Sequence, residues 1–139
     1  MKRLGCLAAA LMLVLAVSAS AEENPAVAQA KAAATSWLAL ADTGNYAQTW
    51  DDAAVLFQGA ITKANWEQAL KSARSPLGAV QERKLKSATF TRTLPGAPDG
   101  EYVVIQFETR FANKATAIET ITPMREKDGN FRVSGYFVR

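Results

Sequence analysis

Residues 94–111, LPGAPDGEYVVIQFETRF, decide how the chain is read. The stretch opens on Pro95, Gly96, Pro98 and Gly100, residues that supply the fixed and the positive φ values of turns. The pattern then changes to alternation. Val103, Ile105, Phe107 and Phe111 fall on one side; Tyr102, Gln106, Glu108 and Arg110 fall on the other. A period of two is that of an antiparallel strand with one face buried. Tyr102 and Val104 are expected on the outer, uncovered face.

Downstream, two more strands follow. Residues 115–126 are rich in Thr and Ile, and residues 131–139 close the chain. Between them Asp128-Gly129 is a strong hairpin signal. Simple alternation puts Phe131, Val133 and Phe137 on one face of the last strand, Tyr136 and Val138 on the other. Residues 80–94 read as extended but alternate poorly, with Thr89, Thr91 and Thr93 suited to a wet face.

Upstream, the period is helical. In residues 24–41, Val27, Ala30, Ala34, Trp37, Leu38 and Ala41 make one apolar stripe. Pro25 suits the first turn and Gly44 the end. A second helix is expected over 45–57, with Asn45 as cap, Tyr46, Trp50, Ala53, Ala54 and Phe57 inward, and Gln58-Gly59 as its break. Thr62 caps a third, with Trp66, Ala69, Leu70 and Ala73 inward; Ser75-Pro76-Leu77-Gly78 ends it. Helices followed by a four-stranded meander give an α+β fold, in which a curved antiparallel sheet packs on N-terminal helices and leaves a cavity at one end.

The first 21 residues read as a secretory signal peptide. Lys2 and Arg3 precede an apolar run, and Ala19-Ser20-Ala21 is an A-x-A cleavage site. The expected domain is residues 22–139, periplasmic or secreted, with no membrane span after cleavage. Cys6 precedes the apolar run, which argues against a lipidated cysteine. Residues 22–139 hold neither Cys nor His. That excludes Cys–His and Ser–His–Asp catalysis and cysteine-held iron–sulfur clusters, and argues against zinc. No other metal site and no cofactor are expected. Asp51 and Asp52 are adjacent, so on a helix they diverge by about 100°.

Charge is uneven. Residues 22–70 carry six acids and two bases; residues 71–95 carry six bases and one acid. The basic block is Lys71, Arg74, Arg83, Lys84, Lys86 and Arg92. Such a run suits a solvated face or an anionic surface. For an exported chain, nucleic acid is not an expected partner.

An ordered series of residues resembles the bacterial domain-of-unknown-function family 4019, small and often exported proteins. It comprises Trp37, Asp42-x-Gly44-x-Tyr46, Trp50, Trp66, Arg74-x-x-Leu77-Gly78, Arg83, the stretch from Leu94 to Tyr102, Glu119-Thr120, and Asp128-Gly129 leading to Gly135-Tyr136-Phe137. The resemblance implies no activity. More loosely, the layout is similar to cystatin-like and NTF2-like folds, whose members include enzymes, binding modules and association domains, so fold alone does not give function.

Acid–base work by a carboxylate in a cavity stays open. Glu119 alternates with Ala117, Ile121 and Pro123, so it is expected on the covered face, where a carboxylate needs a partner. Arg83 and Arg110 are the candidate partners, since arginine grips a carboxylate with two bonds. Tyr136 can bring a hydroxyl to a pocket mouth. The alternative for Glu119 is an ion pair that fixes strand register. The reading is therefore a non-catalytic binding or association module. It uses an end cavity for a small ligand or the outer sheet face for a homodimer. The alternatives are an isomerase- or hydrolase-type enzyme built on Glu119 and a protein that docks an anionic surface.

Overall fold

A computed structural model describes residues 23–139. The expected signal peptide lies outside the described residues. Among them, no helix is long and apolar enough to cross a membrane. The elements run α1 (Pro25–Asp42), α2 (Tyr46–Asp51), α3 (Val55–Ala60), α4 (Lys63–Arg74), a 3-10 turn at Ser75–Leu77, then β1 (Val80–Thr91), β2 (Tyr102–Phe111), β3 (Lys114–Arg125) and β4 (Phe131–Val138). The strands form one antiparallel sheet in the order β1-β2-β3-β4. The fold is α+β.

The first helix follows its sequence signals. The Asn24 side chain accepts a hydrogen bond from the Ala26 N–H, and Pro25 occupies the first turn, where it has no N–H to lose. All six residues of the apolar stripe are buried. They pack with Val103, Ile105, Ile121, Val133 and Tyr136 in one core.

The expected second helix is broken. It stops at Asp51 and resumes at Val55, because two backbone N–H groups find partners outside the helix. Ala54 N–H donates to the Val133 carbonyl at 2.8 Å, and Val55 N–H donates to the Glu126 carboxylate at 2.9 Å. Ala53 and Ala54 are both buried, which pins the break against β4. Gln58 and Gly59 do not break anything; they lie inside α3. In α4 the buried face is Trp66, Leu70 and Arg74, with Ala69 and Ala73 exposed.

Two face assignments also change. Tyr102 was expected outside, yet it is 1 % exposed. Residues 92–101 fold back over it: Gly100 lies against its ring, and its hydroxyl donates to the Pro98 carbonyl at 2.6 Å. In β4 the pairing slips between Ile121–Tyr136 and Pro123–Val133. That bulge inserts one residue, so the alternation restarts in the opposite phase. Phe131, Val133 and Tyr136 are buried and Val138 half-buried against the core, while Phe137 faces out at 56 % exposure. A similar slip between Leu85 and Ser87 explains the poor alternation of β1.

Glycine placement gives a paired test. Gly78 has φ +76°, and a Cβ there would meet the Ala112 Cβ at 3.0 Å. Gly59 sits in a helix with nothing near a built Cβ. Gly78→Ala is expected to lower unfolding stability by about 1–2 kcal/mol. Gly59→Ala is expected to raise it by up to about 1 kcal/mol. Urea denaturation midpoints of the two variants check both signs.

Candidate functional site

Six side chains from six elements meet between the helices and the sheet. At the centre is Glu119 of β3, which is 0 % exposed. Its Oε1 accepts from Arg83 Nε at 2.8 Å and from Thr109 Oγ1 at 2.5 Å. Its Oε2 accepts from Arg83 Nη2 at 3.2 Å and from the Tyr136 hydroxyl at 2.5 Å. Arg83, on β1, turns its other edge to Asp42 at the end of α1, with Nη1 and Nη2 donating to the two carboxylate oxygens at 2.8 and 2.9 Å. Arg74, the last residue of α4, donates to Asp42 Oδ1 at 2.8 Å. The group holds two guanidinium and two carboxylate charges and is neutral as a whole.

Local structure sets each member. Thr109 occupies an inward position of β2, in phase with Ile105 and Phe111, and its pairing partner on β1 is Arg83. Tyr136 reaches inward only because of the β4 bulge. Its ring packs on Trp37, centroid to centroid 5.0 Å. Arg74 follows Leu70 by one helical turn, is 4 % exposed, and lies over the Phe111 ring at 5.0 Å. A cation above an aromatic face is attracted by the ring quadrupole. Its Nε and Nη1 are buried without a hydrogen-bond partner among the described residues. Arg74 also ends its helix, where a cation meets the negative end of the helix dipole.

The electrostatics follow from burial. Tyr136 is pushed well above the usual tyrosine range by burial, and further by the negative charge and the hydrogen bond of Glu119. Burial alone raises the Asp42 carboxyl, but hydrogen bonds and charge from Arg83 and Arg74 outweigh it and hold the group below its ordinary value. Burial disfavours the charged form of Arg83, and its two carboxylate partners more than restore it, so its pKa is raised.

The sequence-predicted residues divide. Glu119, Arg83 and Tyr136 come together. Arg110 does not: it is half exposed, sits in the outward phase of β2, and lies 3.5 Å from Glu82. Three members were missed: Asp42, Arg74 and Thr109. Each carried a signal, since each falls in phase with an apolar stripe, four after Leu38, four after Leu70 and two before Phe111. Polar residues at core phase are partnered polar residues. Arg74 and Arg83 both belong to the basic block of the sequence, and both are spent on carboxylates, Arg83 on Glu119 as one of its two expected partners.

Chemically, the arrangement is closed. A carboxylate that accepts four hydrogen bonds has no lone pair left for a substrate proton. Glu119 is 0 % exposed and lines none of the five main clefts among the described residues. A cleft of about 310 Å³ reaches the other end of the chain of charges, at Asp42, Arg74, Gly44 and Tyr46. No group of three or more His, Cys, Asp or Glu residues among the described residues is placed to hold a metal ion.

Two measurements test the cluster. Arg83→Met leaves Glu119 buried without its cation and is expected to cost about 3–5 kcal/mol in urea denaturation. Tyr136 gives a pH signature. Its folded pKa is raised, so its stabilising contribution is complete below the unfolded tyrosine pKa, about 10, and falls away as pH rises above it. Ultraviolet titration of the folded protein at pH 11–12 is expected to show a resistant tyrosine, Tyr136, that stays un-ionised there and titrates in denaturant. Tyr136→Phe is expected to remove the resistant one.

No curated protein matches the chain. A family model described as "Protein of unknown function (DUF4019)" matches residues 33–136, which span the site from Asp42 to Tyr136, and the chain belongs to that family.

Proposed function

We propose that this chain is a non-catalytic association module that docks a partner, in the simplest case a second copy, on the outer face of its sheet. The observation that carries the proposal is Phe137, more than half exposed on the face turned away from the core. It is the end of a cross-strand row: Ser87, Gln106, Thr120 and Phe137 are neighbours across β1 to β4. The row is uncharged, and Val104 lies one row away. Two copies that meet along this row bring no like charges together within it. Burying a phenylalanine side chain favours association by about 1.5–3 kcal/mol.

The enclosure of Glu119 supports this reading over an enzyme, because the one carboxylate suited to acid–base work is committed to structure. The anionic-surface reading is left with Lys71, Lys84, Lys86 and Arg92 on the exterior.

Sedimentation velocity of residues 22–139 over a wide concentration range is the test. A dimer is expected, and Phe137→Glu is expected to turn it into a monomer without loss of helical circular dichroism. A monomer at every concentration, or a dimer indifferent to Phe137→Glu, overturns the proposal.

A further inference from the structure

A second feature lies at the other side of α1, away from the outer sheet face. A cleft of about 550 Å³ opens between α1, the end of α2 and the β3–β4 hairpin. Its cause is local. Gln29, Ala32, Ala33 and Ser36 recur at helical spacing beside the buried stripe of α1, and three of the four are short. Asp51 and Asp52 stand opposite, and Trp37, Phe131 and Val133 form an apolar floor. The volume is that of small-molecule sites, which combine apolar walls with a few placed polar groups.

The charges at the rim are unequal in availability. Both oxygens of Asp51 accept from Lys63 Nζ at 2.9 Å. Both terminal nitrogens of Arg132 donate to Asp128. Asp52 is different. Its Oδ1 accepts from the Gln48 amide at 2.8 Å, and among the described residues no cation lies within ion-pair distance. Arg125, which donates to the Gln29 side chain and the Gly129 carbonyl, is paired with Glu101. With these ion pairs counted, the rim and its partners set four carboxylates (Asp51, Asp52, Asp128, Glu101) against three cations (Lys63, Arg132, Arg125). The surplus negative charge belongs to an exposed carboxylate beside an aromatic floor.

We infer that this cleft binds a small organic ammonium compound, with Asp52 facing the cation and Trp37, Phe131 and Val133 against its apolar body. A negative rim raises the local concentration of cations and repels anions. An apolar floor excludes inorganic cations as good ligands, because they lose hydration without gaining oxygen ligands. The site is independent of the association face: Phe137 is not in its wall.

The test is a titration of uniformly 15N-labelled protein with 2-phenylethylammonium, followed by amide chemical shifts. Parallel titrations use 2-phenylethanol and 3-phenylpropionate. Saturable shifts are expected at Ser36, Asp52, Asn130 and Arg132 for the ammonium compound, with the neutral and anionic analogues binding at least about fivefold more weakly. Asp52→Asn keeps an acceptor for Gln48 and is expected to weaken ammonium binding about fivefold. Ala33→Leu adds bulk in the wall, favours the helix, and is expected to abolish binding. Equal binding of the anion, indifference to Asp52→Asn or to Ala33→Leu, or no saturable shift up to about 10 mM overturns the inference.

Discussion

The carboxylate of Glu119 sits in the interior with every acceptor position filled, and six elements are tied together through it. Arg83 brings β1, Thr109 brings β2, Tyr136 brings β4, and through Arg83 the chain of charges reaches Asp42 on α1 and Arg74 on α4. A buried charge without partners is costly. With four hydrogen bonds and a cation, its burial is offset in this one arrangement of strands. A slip of β3 by one residue would put Glu119 in the solvent phase and an apolar neighbour in its place. Charged clusters of this sort are weak sources of net stability. Their physical effect here is to make the competing registers expensive.

A second polar pin holds the helices to one another. Thr49 is fully buried; its carbonyl accepts from the Trp37 indole at 3.0 Å, and its hydroxyl accepts from the Trp66 indole at 3.0 Å. Trp50 gives its N–H to the Ile61 carbonyl. Trp37 and Trp66 are buried and Trp50 is half-buried, each with its single donor satisfied. Trp37 and Tyr136 stack across the helix–sheet boundary, which links this pin to the charge cluster. Arg125, over the Phe131 ring at 4.7 Å and paired with Glu101, fixes the hairpin end of the sheet.

These commitments decide what is left for function. The inner face is filled by the core and the charge cluster, which engages Glu119, Arg83 and Tyr136 in hydrogen bonds and ion pairs. On the exterior lie Phe137, at the end of an uncharged row on the sheet, and an aromatic-floored cleft beside α1. The first follows from the β4 bulge, which sends Tyr136 in and Phe137 out. The second follows from short side chains on one flank of α1.

Glu119, placed inward by simple alternation, was legible as a buried carboxylate. So were the α+β class, the limits of α1, the Thr62 cap of α4, whose hydroxyl accepts from the Asn65 N–H, and the Asp-Gly hairpin, where Gly129 takes φ +86°. Period, caps and turn residues are local properties, and the chain states them directly. Arg83 rather than Arg110 as its partner was half legible: Arg110 lies in the wrong phase of β2, and only the β1–β2 register shows that Arg83 is opposite Thr109. Tyr102 was misplaced because its cover is a loop, and alternation describes the sheet without the loops that fold over it. The break at Ala53–Ala54 and the reversal of β4 came from partners far along the chain: Val133 for one, the slip against Pro123 for the other. The sequence by itself determined which elements form and which faces are apolar. Tertiary structure decided where elements stop, which phase a bulged strand resumes, and which charges meet, because those depend on hydrogen bonds between residues distant in sequence.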